Sequence, residues 1–72
     1  MTTSADQFAE AEALMNRWLR EKWQTAPQQA VDVFKKLRDK LYRYKGPAHS
    51  SKLEAVISEL RSMLSEEWTP PP

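Results

Sequence analysis

Residues 25–54 read TAPQQAVDVFKKLRDKLYRYKGPAHSSKLE, and they contain one predicted helix with boundary residues on both sides. Pro27 suits the first turn of a helix, where its missing N–H costs no hydrogen bond, and Thr25 suits the N-cap. Gly46 suits the left-handed residue that ends a helix, and the proline after it prevents continuation. Between these signals apolar residues recur at spacings of three and four, which predicts helix 2 over residues 26–45. These apolar residues are Ala30, Val33, Phe34, Leu37, Leu41 and Tyr44.

The end of this segment begins a further predicted helix. Ser51 and Glu54 have the spacing of a capping box, in which each side chain accepts a hydrogen bond from the other residue's backbone N–H. The apolar residues that follow keep the helical spacing as far as Trp68. We therefore predict helix 3 over residues 52–68, followed by a short proline-rich tail at residues 69–72. The apolar residues are Leu53, Val56, Ile57, Leu60, Met63, Leu64 and Trp68.

A first helix precedes residues 25–54. Ser4 and Gln7 repeat the spacing of a capping box. Apolar residues with helical periodicity come next, so we predict helix 1 over residues 5–24. These residues are Phe8, Ala11, Met15, Leu19 and Trp23.

Three helices of similar length with short connections predict an all-α fold, in which residues 1–72 form one small antiparallel up-down-up three-helix bundle. A domain of this size buries only about 60% of the surface that its unfolded chain exposes. The chain has no cysteine and one histidine, so we expect neither a disulfide nor a Cys/His metal site to stabilise it. Tight helix packing or oligomerisation must do so. The predicted core is Phe8, Met15, Leu19, Val33, Phe34, Leu37, Leu41, Val56, Ile57, Leu60 and Leu64.

The composition argues against several classes of function. A net charge of +1 creates no global field that would attract nucleic acid or a membrane surface. No signal-peptide pattern and no membrane-spanning apolar stretch occur, so we predict a cytoplasmic protein without a membrane partner. A single glycine cannot build a phosphate-binding loop, and His49 beside Ser50 lacks a third orienting group. We therefore predict that the protein is not an enzyme and has no catalytic residue, cofactor or metal.

Helix 2 concentrates positive charge, with six basic side chains against two acidic ones. Helical geometry sorts these cations into two rows beside the apolar stripe. Such a surface can bind an acidic protein, or Tyr42 can stack on a base while its neighbours contact phosphates. A third interpretation is a solvated helix whose charge is neutralised within the fold. One row comprises Val31, Lys35, Arg38, Tyr42 and Lys45, and the other comprises Lys36, Lys40 and Arg43.

Helix 1 offers a second candidate surface. Leu14 and Trp18 lie at the edge of its apolar stripe and widen it beyond the usual arc of about 100°. A chain that is short of core often completes it in a partner or in a second copy, and Trp is enriched at binding hot spots. The alternative is that both residues cover the core of the bundle.

These patterns predict a small non-enzymatic helical adaptor or regulatory protein. Its partner would be a protein with an acidic patch or a second copy in a homodimer, and the alternative is a nucleic-acid-binding regulator. An acidic partner would be attracted by the cations of helix 2 and anchored by the apolar edge of helix 1. The predicted partner-binding residues are Leu14, Trp18, Lys35, Arg38, Lys40, Tyr42, Arg43 and Lys45.

Overall fold

The computed structural model describes residues 3–70, which form three α-helices: α1 (Ser4–Trp23), α2 (Pro27–Arg43) and α3 (Ser50–Ser65), with a 3-10 turn at Pro47–His49. Helix α1 packs against both other helices. Its early residue Phe8 contacts Tyr42 near the end of α2, and its late residue Trp18 contacts Trp68 beyond the end of α3. Helix α2 therefore runs antiparallel to α1, and α3 runs parallel to α1. The predicted three-helix bundle is confirmed, and residues 71–72 of the predicted tail lie outside the described residues.

The N-terminus of α1 is capped one residue earlier than predicted. The Thr3 hydroxyl accepts a hydrogen bond from the Asp6 N–H at 3.1 Å, and the Asp6 carboxylate accepts one from the Thr3 N–H at 3.3 Å. The predicted capping box of Ser4 and Gln7 is wrong, because this neighbouring pair has the same spacing and places a carboxylate at the positive end of the helix dipole. Gln7 is buried instead, and its side-chain oxygen accepts a hydrogen bond from the Ser50 hydroxyl at 2.9 Å.

Helices α2 and α3 begin without a side-chain cap. Pro27 occupies the first position of α2, as predicted, but the N-cap is Ala26 and not Thr25. Helix α3 starts at Ser50, directly after the 3-10 turn. Ser51 therefore lies inside the helix, and the capping box predicted for it is wrong.

Both α2 and α3 end earlier than predicted. Helix α2 ends at Arg43, and Gly46 then adopts a φ of 127°, which favours glycine because the residue has no Cβ. Helix α3 ends at Ser65, and Glu66 is extended with φ −93° and ψ 151°. The proline at position 70 disfavours helical geometry in the residue before it, so the helix does not resume.

The core lies where α1 faces α2 and α3. Among the predicted core residues, those that are buried are Met15, Leu37, Leu41, Val56, Ile57 and Leu60. Those that are partly buried and pack against this cluster are Phe8, Val33 and Phe34. Leu19 and Leu64 are partly exposed and lie at the margin of the core, so the prediction for these two is wrong. Their spacing within one helix could not show how each helix is rotated against its neighbours. Residues outside the predicted core are also buried, namely Ala11, Trp18, Ala26, Ala30 and Leu53.

Trp18 is fully buried, which contradicts the accessible edge predicted for helix 1. The chain beyond α3 folds back, and the Trp68 ring meets the Trp18 ring edge to face, with centroids 5.1 Å apart and planes at 67°. Leu14 is partly buried and packs against the core. The alternative interpretation, in which these residues cover the core, therefore holds for Leu14, whereas Trp18 is buried against Trp68.

We expect Trp68→Ala to expose Trp18, because the Trp68 ring packs directly against it. The variant should also carry Trp23→Phe, which leaves Trp18 as the single tryptophan. Trp18 fluorescence should then shift to longer wavelength and be quenched more strongly by acrylamide. The matched control is Trp68→Phe in the same background, since it keeps an aromatic ring at this position. Equal quenching in the two variants would contradict the covering role of Trp68.

Candidate functional site

A stacked aromatic pair joins α1 and α2 near one end of the bundle. The Phe8 and Tyr42 rings have centroids 5.7 Å apart and planes 18° from parallel. Antiparallel packing brings them together, because Phe8 lies in the second turn of α1 and Tyr42 lies in the last turn of α2. Phe8 is partly buried, whereas Tyr42 is 54% exposed. The pair therefore presents an accessible aromatic surface.

Lys45 places a positive charge beside this pair. Its Nζ lies 5.5 Å from the centroid of the Phe8 ring, within the range of a cation–π interaction of about 0.5–1 kcal/mol at an exposed site. Lys45 lies beyond the end of α2, so this contact helps to orient a side chain outside the helix. A shallow, largely apolar cavity of about 310 Å³ opens at the same place, lined by Ser4, Ala5, Phe8, Lys45 and Gly46.

A groove runs from the aromatic pair along the interface of α1 and α2. It encloses about 220 Å³, with Arg38 and Tyr42 on its α2 side and Glu12 and Asn16 on its α1 side. Arg38 lies one helical turn from Tyr42, so both side chains project from the same face of α2. We define the α1–α2 groove as the surface formed by Phe8, Glu12, Asn16, Phe34, Arg38, Tyr42 and Lys45.

Among the described residues, no carboxylate forms an ion pair with the cations of the α1–α2 groove. Within residues 3–70, neither Arg38 nor Lys45 has a side-chain nitrogen within 4.0 Å of a carboxylate oxygen. Lys35, about one turn before Arg38 in the same row, is exposed as well. Glu12 is the acidic residue among those lining the groove. The groove is therefore locally positive on a chain whose net charge is only +1.

The second predicted basic row lies on the side of α2 that faces α3. Lys40 forms an ion pair with Glu59 of α3, with 3.1 Å between Nζ and Oε2. Lys36 and Arg43 share this side by helical spacing, and both are exposed. The predicted partner-binding residues of helix 2 are therefore divided between two faces, and one of these faces is partly neutralised within the bundle.

A larger cavity of about 400 Å³ lies between α1 and α3 and is lined mainly by polar side chains. Arg61, the basic residue that lines it, forms an ion pair with Glu10 of the same cavity. An exposed ion pair of this kind contributes little to stability. It does neutralise the positive charge of Arg61, which an acidic ligand would otherwise contact. In the α1–α2 groove, Arg38 and Lys45 have no carboxylate partner within residues 3–70 and lie beside exposed aromatic surface, so this groove is the stronger candidate site.

Two groove residues were predicted to belong to the core, Phe34 on helix 2 and Phe8 on helix 1. The spacing of Phe8 in helix 1 matches the apolar stripe, and that stripe does point toward the bundle. The sequence contained one further signal for the contact between Phe8 and Tyr42. Antiparallel helices place the early residues of one helix beside the late residues of the next. The stacking on Tyr42 depends on how each helix is rotated about its axis, which the spacing within one helix does not determine.

Fold and groove together define a small all-α domain with a positively charged, partly aromatic surface. A scan against protein-family models and searches of curated proteins and of solved structures find no match to this chain.

In the part of the chain that the structure describes, no cluster of three or more His, Cys, Asp or Glu residues could hold a metal ion. None of the helices there has the length and the apolar character that crossing a membrane requires.

Proposed function

We propose that the protein is a small, non-enzymatic, cytoplasmic adaptor or regulator that docks on an acidic surface of another protein through the α1–α2 groove. One observation carries the proposal: Tyr42 is more than half exposed, and among the described residues its neighbours Arg38 and Lys45 have no carboxylate partner. The cations accelerate encounter with an acidic partner, and desolvated aromatic contacts then hold the complex.

Each part of the groove supports a different part of this recognition. The Arg38 guanidinium can donate two parallel hydrogen bonds to one carboxylate. The Lys45 ammonium acts as a point charge, so it can bind a carboxylate in a wider range of orientations than the Arg38 guanidinium. The stacked rings of Phe8 and Tyr42 supply rigid apolar surface that loses little conformational entropy when a partner covers it. A partner with a carboxylate next to an apolar side chain fits this arrangement.

A nucleic-acid-binding regulator is the second candidate, and the exposed Tyr42 ring supports it. A base can stack on that ring while Arg38 and Lys45 contact phosphates. Glu12 weighs against this candidate, because its carboxylate lines the same groove. Phosphates recur at every nucleotide, so a nucleic acid cannot avoid this negative charge. A protein can place a neutral or basic residue opposite Glu12, which favours the protein partner.

Affinity capture from a lysate of the source organism, treated with nuclease and followed by mass spectrometry, tests the proposed function. The wild type should retain a protein with an acidic surface, and the double variant Arg38→Glu, Lys45→Glu should lose it. The matched control, Lys36→Glu with Arg43→Glu, makes the same change of charge on the side of α2 that faces α3. This control should keep the partner.

Two results of this experiment would count against docking through the groove. Equal capture by the wild type and by the Arg38→Glu, Lys45→Glu variant would show that the groove cations do not contact the partner. Capture that disappears after nuclease treatment, together with binding of a labelled oligonucleotide that weakens steeply with salt, would favour the nucleic-acid candidate.

A further inference from the structure

Two large apolar side chains of the described residues are at least half exposed. They are Tyr42, at 54%, and Trp23, at 50%. Tyrosine and tryptophan are enriched at protein interfaces, and a partner that covers these rings would bury the apolar area that the fold leaves exposed. Tyr42 already belongs to the α1–α2 groove, so the position of Trp23 relative to that groove decides whether one partner can cover both rings.

Beyond the α1–α2 groove, an accessible surface continues along α1 toward Trp23. Asn16 lines the groove together with Arg38 and Tyr42. Asn16 also lines a shallow apolar depression of about 310 Å³ with Leu19, Arg20 and Trp23, all of them residues of α1. These α1 residues follow one another at helical spacing from Glu12 onward, so they form a single stripe on one flank of α1. One continuous surface therefore extends from the Phe8–Tyr42 pair to Trp23.

The length of this surface follows from helix geometry. Phe8 and Trp23 lie in the same helix, and at a rise of about 1.5 Å per residue they are separated by about 22 Å along its axis. That distance corresponds to about four helical turns. Aromatic side chains stand at both ends of the surface, and Asn16 lies between them.

Cations lie at both ends of this surface and between them, and Glu12 is the acidic residue among those that line it. Arg20 lies beside Trp23, Arg38 lies near the middle, and Lys45 lies at the Phe8 end. None of these three residues forms an ion pair with a carboxylate in residues 3–70. A second copy of this chain would place the same cations opposite one another in a symmetric dimer, which disfavours it as the occupant.

We infer that the partner docks as an acidic amphipathic helix of about four turns, which lies along the α1–α2 groove from the Phe8–Tyr42 pair and continues over the flank of α1 to Trp23. This inference rests on the proposed function and specifies the form of the partner. An amphipathic helix fits because two antiparallel helices present an elongated groove in which a further helix can bury its apolar face. One apolar residue contacts each aromatic end, about 14 or 15 residues apart, and carboxylates between them face Arg20 and Arg38.

The test selects binders from a displayed library of random 20-residue peptides against the folded protein. Selected peptides should be acidic and helical when bound. They should carry two apolar positions about four turns apart. Their affinity should fall at least about tenfold for Trp23→Ala and, separately, for Tyr42→Ala. Trp23→Phe is the matched control and should retain most of the affinity, because it keeps an aromatic anchor.

The outcomes separate this inference from the proposed function. Acidic peptides that respond to Arg38→Glu with Lys45→Glu but bind Trp23→Ala as tightly as the wild type would overturn the four-turn helix and leave acidic docking in place. A selection that returns no acidic peptide, or only peptides indifferent to Arg38→Glu with Lys45→Glu, would contradict both. Peptides cut to two turns should lose binding at least about tenfold, and full retention would also overturn the inference.

Discussion

Replacing Leu60 with alanine is expected to remove most of the stability of this domain. Leu60 is fully buried and belongs to the core cluster that all three helices share. Truncation of a buried leucine costs about 2–5 kcal/mol, through lost burial and the cavity that remains. A core of this size supplies about 3–5 kcal/mol in total. The variant should therefore be largely unfolded under conditions in which the wild type is folded.

Urea unfolding followed by far-ultraviolet circular dichroism measures this loss. Leu64→Ala is the matched control, because Leu64 is the same side chain one turn later in α3 and is partly exposed. Its free energy of unfolding should fall clearly less than that of Leu60→Ala, since fewer packing contacts are removed. An equal loss in the two variants, or no loss in Leu60→Ala, would contradict the position of the core.

Changing Arg38 and Lys45 together to glutamate is expected to weaken binding to an acidic partner by about a hundredfold or more. Each substitution replaces an attraction with a repulsion, and a cost of about 1.4 kcal/mol per substitution corresponds to a factor of ten. The fold should be retained, because Arg38 and Lys45 are exposed and form no ion pair among the described residues. The contact of Lys45 with the Phe8 ring that is lost contributes only about 0.5–1 kcal/mol. Titration calorimetry with the captured partner measures the affinity.

The dependence of binding on ionic strength distinguishes attraction by the groove cations from attraction by the net charge of the molecule. The wild-type association rate should fall as salt is added, whereas the Arg38→Glu, Lys45→Glu variant should respond less. The control pair Lys36→Glu, Arg43→Glu changes the net charge by the same amount on the other side of α2. If that control weakens binding as much, then the net charge of the molecule governs association and the groove does not.

The three helices could be predicted because apolar periodicity is a local property of the sequence. Their ends were less predictable, since neighbouring candidates compete, as Thr3 with Asp6 competes with the pair one residue later. The burial of Trp18 involves a contact with Trp68, which is distant along the chain. Periodicity within one helix contains no information about such a contact.

In the candidate site, too, features within one helix could be predicted and contacts between helices could not. Arg38, Tyr42 and Lys45 could be grouped in advance, because residues three or four apart share one face of a helix. The stacking of Phe8 on Tyr42 and the pairing of Lys40 with Glu59 could not, since each depends on the rotation of one helix against another. Those contacts between helices decide which basic row remains accessible, namely the row with Arg38, and which is partly neutralised, namely the row with Lys40.

Chemical-shift mapping by nuclear magnetic resonance, with the captured partner titrated into the isotopically labelled protein, tests docking through the α1–α2 groove most directly. The largest shifts should occur at Phe8, Glu12, Tyr42 and Lys45. Residues around Arg61, on the far side of α1 from the groove, should change little. If the largest shifts instead surround Arg61 and the other residues of the cavity between α1 and α3, the groove is not the docking surface.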